Sequence, residues 1–120
     1  MNTGIHLIGD LQGCHFSELL GKKKRLKDLK RIISAKIEEV GLTELGNCYH
    51  YFGSYAVTAV VCLSESHISF HTWKEEKYTS LDVFVCNYKE NNTKKAKELF
   101  DFLVKEIFKP EKIRKKEIKR

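Results

Sequence analysis

The sequence predicts an α+β fold. We expect a two-layer sandwich in which a four-stranded, mainly antiparallel sheet carries two helices on one face, in the order β-α-β-β-β-α. Three observations lead there. Two segments place apolar residues on one helical stripe: Leu26, Leu29, Ile33, Ile37 and Val40, then Ala96, Leu99, Phe100, Leu103 and Ile107. Four other segments have strand composition. Short turns separate the last three of these, at Gly53-Ser54 and at Lys74 to Lys77.

Gly4 to Leu11 reads as the first strand, broken at Gly13-Cys14-His15-Phe16. Ser17 can cap a short helical turn, with Glu18 favourable near its start. The Lys22-Lys23-Lys24-Arg25 run reads as a solvated helix start or loop. Gly41 suits the stop of the first helix. The second strand spans Leu42 to Phe52 with an irregularity near Gly46. The third begins at Tyr55 and continues through Trp73. The fourth runs from Tyr78 to Tyr88, with Val83 and Val85 alternating against Asp82, Phe84 and Cys86. Asn91-Asn92-Thr93 offers a cap for the second helix, which Pro110 ends.

At 120 residues the chain is one domain by length, which we bound at residues 1–110. Hydrophobic residues make up 42%, enough for a modest core and contrary to wholesale disorder. The chain opens without the charged start and apolar stretch of a signal peptide. No apolar run approaches the roughly 20 residues of a transmembrane helix. Both points make cytoplasm the expected location, away from membranes. Cys14, Cys48, Cys62 and Cys86 form no Cys-x-x-Cys pair, so zinc-ribbon and thioredoxin-like motifs are absent. Cys62, within an apolar run, reads as a small core residue. Net charge is +6, and residues 105–120 hold eight Lys/Arg against three Glu. Residues 111–120 therefore read as a basic, solvated tail. Phe108 is the only aromatic in that region, which speaks against nucleic-acid binding.

Everything turns on Leu63-Ser64-Glu65-Ser66-His67-Ile68-Ser69-Phe70-His71-Thr72-Trp73. One carboxylate, three serines, two histidines and a tryptophan crowd a segment of strand composition. In a continuous strand Glu65, His67, Ser69, His71 and Trp73 would share one face, and Ser64, Ser66, Ile68, Phe70 and Thr72 the other. A strand with one wet face has the same pattern. A metal site fits less well: His67 and His71 sit four strand positions apart, about 13 Å, too far to share a zinc at about 2 Å from each. No Gly-x-Ser-x-Gly elbow marks a serine hydrolase.

Ser-Glu-Ser-His-Ile-Ser-Phe-His-Thr-Trp, followed by Asp82-Val83-Phe84-Val85-Cys86, resembles the processing and active-site region of the prokaryotic S-adenosylmethionine decarboxylase proenzymes. Gly4-Ile5-His6-Leu7 with Asp10 and Cys14 resembles that family's first strand, and His50-x-Phe52 the segment before the processing strand. The resemblance runs from about residue 4 to residue 88. It implies a self-processing lyase, a zymogen of polyamine and spermidine biosynthesis that acts as a homodimer with sites near the subunit interface. Ser66 would attack the preceding carbonyl and break the Glu65–Ser66 bond. Chains 1–65 and 66–120 would result, and Ser66 would become a pyruvoyl cofactor that forms a Schiff base with the amine of S-adenosylmethionine. His71 matches the processing histidine. Cys86 matches the proton donor, a role suited to a thiol that burial keeps protonated. Phe52 matches an aromatic that contacts the adenine, and Glu75 the acid that holds the ribose hydroxyls. Trp73 completes the substrate-binding set. The resemblance implies no metal.

The chain departs from the family pattern around the pocket. Ala56-Val57-Thr58-Ala59 stands where Gly-Val-Ser-Gly is usual, so Thr58 would replace a serine that assists processing. Ser54-Tyr55-Ala56 replaces a Pro-x-Gly feature, and Trp73-Lys74-Glu75 replaces Trp-Pro-Glu. These changes leave arginine or ornithine open as alternative substrates. They also leave open a homologue that is never cleaved and acts by binding.

Overall fold

The computed structural model describes residues 3–87 and 89–120, so the expected strand end at Tyr88 and the first two residues lie outside the described part. The two-layer α+β architecture is present, but the sheet has six strands where four were expected. They are β1 (Gly4–Gln12), β2 (Glu44–Gly53), β3 (Ala56–Leu63), β4 (Ser66–Trp73), β5 (Tyr78–Cys86) and β6 (Lys112–Lys119). Their order across the sheet is β2-β3-β4-β5-β1-β6, and every neighbouring pair is antiparallel.

Two corrections account for the extra strands. The long third strand is really a hairpin: Leu63 pairs with Ser66, and Ser64-Glu65 forms the turn. The basic tail is the edge strand β6, paired with β1 from Ile5↔Lys119 to Gln12↔Lys112. All of β6 is exposed. Lysines on an edge strand block further pairing, so a charged sequence and a strand are compatible there.

The helices are α1 (Leu26–Glu39) and α2 (Thr93–Phe102), and α2 continues as a π-helical segment over Leu103–Phe108. Leu29, Ile33 and Ile37 of α1 and Ala96, Leu99 and Phe100 of α2 are buried, as their spacing requires. Gly41, at φ 88°, stops α1 in a conformation that favours glycine. The sheet presents Leu7, Leu11, Val57, Ala59, Val61, Ile68, Phe70, Leu81, Val83 and Val85 to the helices. Phe70 is fully buried against Phe108, with ring centroids 4.9 Å apart. Gly9 lets Phe100 approach β1, because a Cβ there would lie 2.7 Å from the Phe100 ring. Cys62 is exposed, contrary to expectation. Val57, Ala59, Val61 and Leu63 take the inward positions of β3, so period two turns Cys62 outward.

Helices therefore cover one face and leave the other open. The open face carries a polar stripe. Tyr78 donates a 2.5 Å hydrogen bond to Asp10, Arg114 lies 3.5 Å from the same carboxylate, and Trp73 stacks on Tyr78. Burial and the Asp10 carboxylate push the Tyr78 hydroxyl up to about 12 from its ordinary 10. A group raised in the folded state stabilises the fold below its unfolded pKa and loses that contribution as pH rises through its folded value. Tyr78→Phe should therefore flatten the fall in stability between pH 10 and about 12. Denaturant titrations of both proteins across that window check this, and identical slopes would refute it.

Candidate active site

Ser66 opens β4 immediately after the Ser64-Glu65 turn, and its side chain is buried on the helix-covered face. The Cys86 backbone N–H, at the end of β5, donates to the Ser66 Oγ at 2.9 Å. Thus Ser66 and Cys86, twenty residues apart, are neighbours. By alternation, however, the Cys86 side chain leaves β5 on the open face. A cavity of about 180 Å³ lies beside the Glu65–Ser66 bond, lined in part by Ser64, Glu65, Cys86 and Asn92. Ser64 and Glu65 are exposed.

The residues at this end of the sheet fit a pyruvoyl group made from Ser66. Its hydroxyl is held in place, the preceding bond lies in an exposed turn, and there is space next to it. The other expected residues sit elsewhere. Thr58 and His71 are register partners on β3 and β4, and Thr58 Oγ1 lies 3.0 Å from His71 Nδ1 on the open face. Trp73 is 42% exposed, with its ring 5.9 Å from that of His71. Glu75 is exposed in the β4–β5 turn. Phe52, 69% exposed, lies at the end of β2 with its ring 4.4 Å from His50. These five residues occupy the end of the sheet opposite Ser66. His71 lies five strand positions beyond Ser66, about 16 Å. Within one chain the two do not meet.

Sequence reasoning missed three features. Asn92 stands at the N-terminus of α2 yet caps nothing with its side chain. Its Nδ2 donates to the Cys86 carbonyl at 2.9 Å, its backbone N–H donates to Asn87 Oδ1 at 2.7 Å, and Asn91 caps the Thr93 N–H instead. This clasp fixes the strand end that holds Ser66. The asparagine pair was visible, but only as a cap signal. Second, the centre of the open face carries His6, which shares a 3.2 Å hydrogen bond with Asp82, next to His67 and Phe84. Burial, then the adjacent His6, lower the His67 pKa. The third is the backbone of Glu65, which no residue-type signal marks.

A sheet layered on helices, with a serine held by a backbone N–H just past an exposed hairpin turn, is compatible with a proenzyme that cleaves itself before that serine. The comparisons narrow the class. The sequence profile of the S-adenosylmethionine decarboxylase family matches residues 5–120. An S-adenosylmethionine decarboxylase proenzyme of Archaeoglobus fulgidus is 34% identical over 114 residues, covering 95% of this chain and 94% of that protein. The corresponding proenzyme of Persephonella marina is 33% identical over 113 residues, covering 94% and 78%. The crystal structure of the adenosylmethionine decarboxylase of Aquifex aeolicus superposes with a TM-score of 0.79 at 26% identity, covering 99% of this chain and 91% of that one. The chain belongs to the S-adenosylmethionine decarboxylase family.

Proposed function

We propose that this protein cleaves itself at Glu65–Ser66 and decarboxylates S-adenosylmethionine as a homodimer. The carrying observation is the Ser66 hydroxyl, fixed by the Cys86 N–H immediately after an exposed turn. Ser66 Oγ adds to the Glu65 carbonyl carbon and the C–N bond breaks. The hydroxyl proton passes to the Ser66 nitrogen, leaving an ester. Loss of the Ser66 α-proton then expels the Glu65 carboxylate with the Cβ–Oγ electron pair. Water hydrolyses the remaining enamine through its imine tautomer, releasing ammonia and leaving the pyruvoyl terminus. That group supplies an electron sink for the departing carbon dioxide once the substrate amine condenses with it.

The Thr58–His71 pair lies about 16 Å along β4 from Ser66, which favours a second copy. Two open faces packed about a two-fold axis near Ile68–Ser69 would bring the Ser66 end of one protomer over the Thr58–His71 end of its partner. Phe52, Trp73 and Val60, all substantially exposed on this chain, would then have a reason to be apolar. His71, hydrogen-bonded by Thr58, is the base for the α-proton, and Thr58 sets its ring orientation. Cleavage makes residue 66 a chain end, free to turn towards the Cys86 thiol, which returns a proton to the product carbon. Phe52 and Trp73 offer faces for the adenine, and Glu75 offers a carboxylate for two ribose hydroxyls.

The test is carbon dioxide release from carboxyl-labelled S-adenosylmethionine, arginine and ornithine by the cleaved protein. Release from the first alone is the expected outcome. Release from arginine or ornithine would transfer the reading to a cationic amino acid, and release from none would favour a binding protein. Cys86→Ala should still cleave but decarboxylate about 10²–10⁴-fold more slowly, the usual contribution of a positioned proton donor. Unimpaired turnover in that variant would remove the thiol from the mechanism.

A further inference from the structure

Glu65 has φ 57°, in the left-handed region that residues other than glycine seldom occupy. Together with Ser64 it makes a two-residue hairpin loop, a position where turn chemistry ordinarily selects glycine, asparagine or aspartate. Two bonds from outside the hairpin pin the loop. The Ser64 N–H donates to the Thr43 carbonyl at 2.9 Å, and the Cys86 N–H donates to the Ser66 hydroxyl at 2.9 Å. Glu65 is thus trapped between anchors on the α1–β2 connection and on β5. Such strain persists only where the surroundings over-determine it.

The strained residue is also the acyl donor of the bond that is to break. We infer that the left-handed turn at Glu65 is a spring that drives self-cleavage, with the conformation of the backbone, rather than the carboxylate, as the active feature. This rests on the cleavage at Ser66 proposed above. In the peptide, one atom, the Ser66 nitrogen, links the Glu65 carbonyl carbon to the Ser66 Cα. In the ester two atoms link them, Oγ and Cβ. The longer path lets Glu65 leave the left-handed region while both anchors stay in place. Strain present in the peptide and relaxed towards the ester lowers the barrier to the acyl shift.

Comparison of Glu65→Ala with Glu65→Gly isolates the backbone. Both lack the carboxylate, but only alanine keeps the left-handed penalty. Cleavage is followed by denaturing gel and intact mass after synthesis. Alanine should process near the wild-type rate and glycine about five- to thirtyfold more slowly, as expected from the usual left-handed penalty. In a Ser66→Ala background the chain stays whole and the Cys86 bond is lost, but the Ser64–Thr43 bond and the Leu63–Ser66 backbone pairing still hold the turn, so Glu65→Gly should melt above Glu65→Ala. That reverses the usual destabilising sign of glycine in ordered backbone. Equal cleavage rates while the wild type cleaves would overturn the spring alone, as would a glycine variant no more stable than alanine. A wild-type chain that never cleaves would overturn the reading of Ser66 and the spring with it, whatever the order of melting.

Discussion

Ser66→Ala is expected to give a single chain of 120 residues, with no break at Glu65–Ser66 and decarboxylation reduced on the order of 10³-fold or more. The size of the effect follows from what Ser66 contributes. In the mechanism proposed above, its oxygen makes the ester and its carbons become the group that accepts electrons from the substrate. No other described serine occupies an equivalent place. Ser64 lies in the turn itself and Ser69 on the open face, neither next to the Cys86 N–H. The substitution removes one buried hydroxyl and its bond from the Cys86 N–H but leaves the backbone pairings of β4 intact, so the fold should survive. Intact mass and labelled carbon dioxide release read the two effects separately. Turnover retained by an uncleaved Ser66→Ala chain would end the pyruvoyl mechanism.

Co-expression of a Ser66→Ala chain with a His71→Ala chain should restore cleavage that neither shows alone. The first retains the Thr58–His71 pair and the second retains Ser66. In the proposed dimer, only a mixed pair combines them in one site. With equal expression and random pairing, about half of the His71→Ala chains would fall in mixed dimers and cleave. Tags of different mass identify the cleaved partner, and only the His71→Ala chain should break. The reason is geometric. A base must reach its proton at roughly 3 Å, directly or through one water, and about 16 Å of strand separates the two residues in one chain. Absence of cleavage in the mixture, with cleavage in the wild type, would mean that the two groups act within one protomer after a rearrangement of β4.

The sequence carried the layers, the helices and the face alternation of β4. Leu29, Ile33 and Ile37 share a helical stripe, and Ile68 and Phe70 alternate with His67, Ser69 and His71, because periodicity is a local property. Through a resemblance in a short, distinctive string it also pointed to Ser66, His71 and Cys86, the residues on which the proposed mechanism rests.

Position was another matter. Ser64-Glu65 carries only a weak turn signal, since serine favours turns but neither residue is a glycine, proline, asparagine or aspartate. The hairpin is imposed by bonds from Thr43 and Cys86, which lie 21 residues before and after these two respectively. β6 looked like a tail because residues 105–120 concentrate the basic charge of the chain. It is a strand because β1 offers an unpaired edge, and edge strands tolerate charge. Cys62 looked buried because apolar runs hide their alternation. The distance between Ser66 and His71 follows from strand rise alone, but only the assembled sheet puts Ser66 beside Cys86 and Thr58 beside His71. Sequence determined which groups this protein possesses, since those are covalent facts. Tertiary structure decided which of them meet, since hydrogen bonds between distant segments set the register that brings them together.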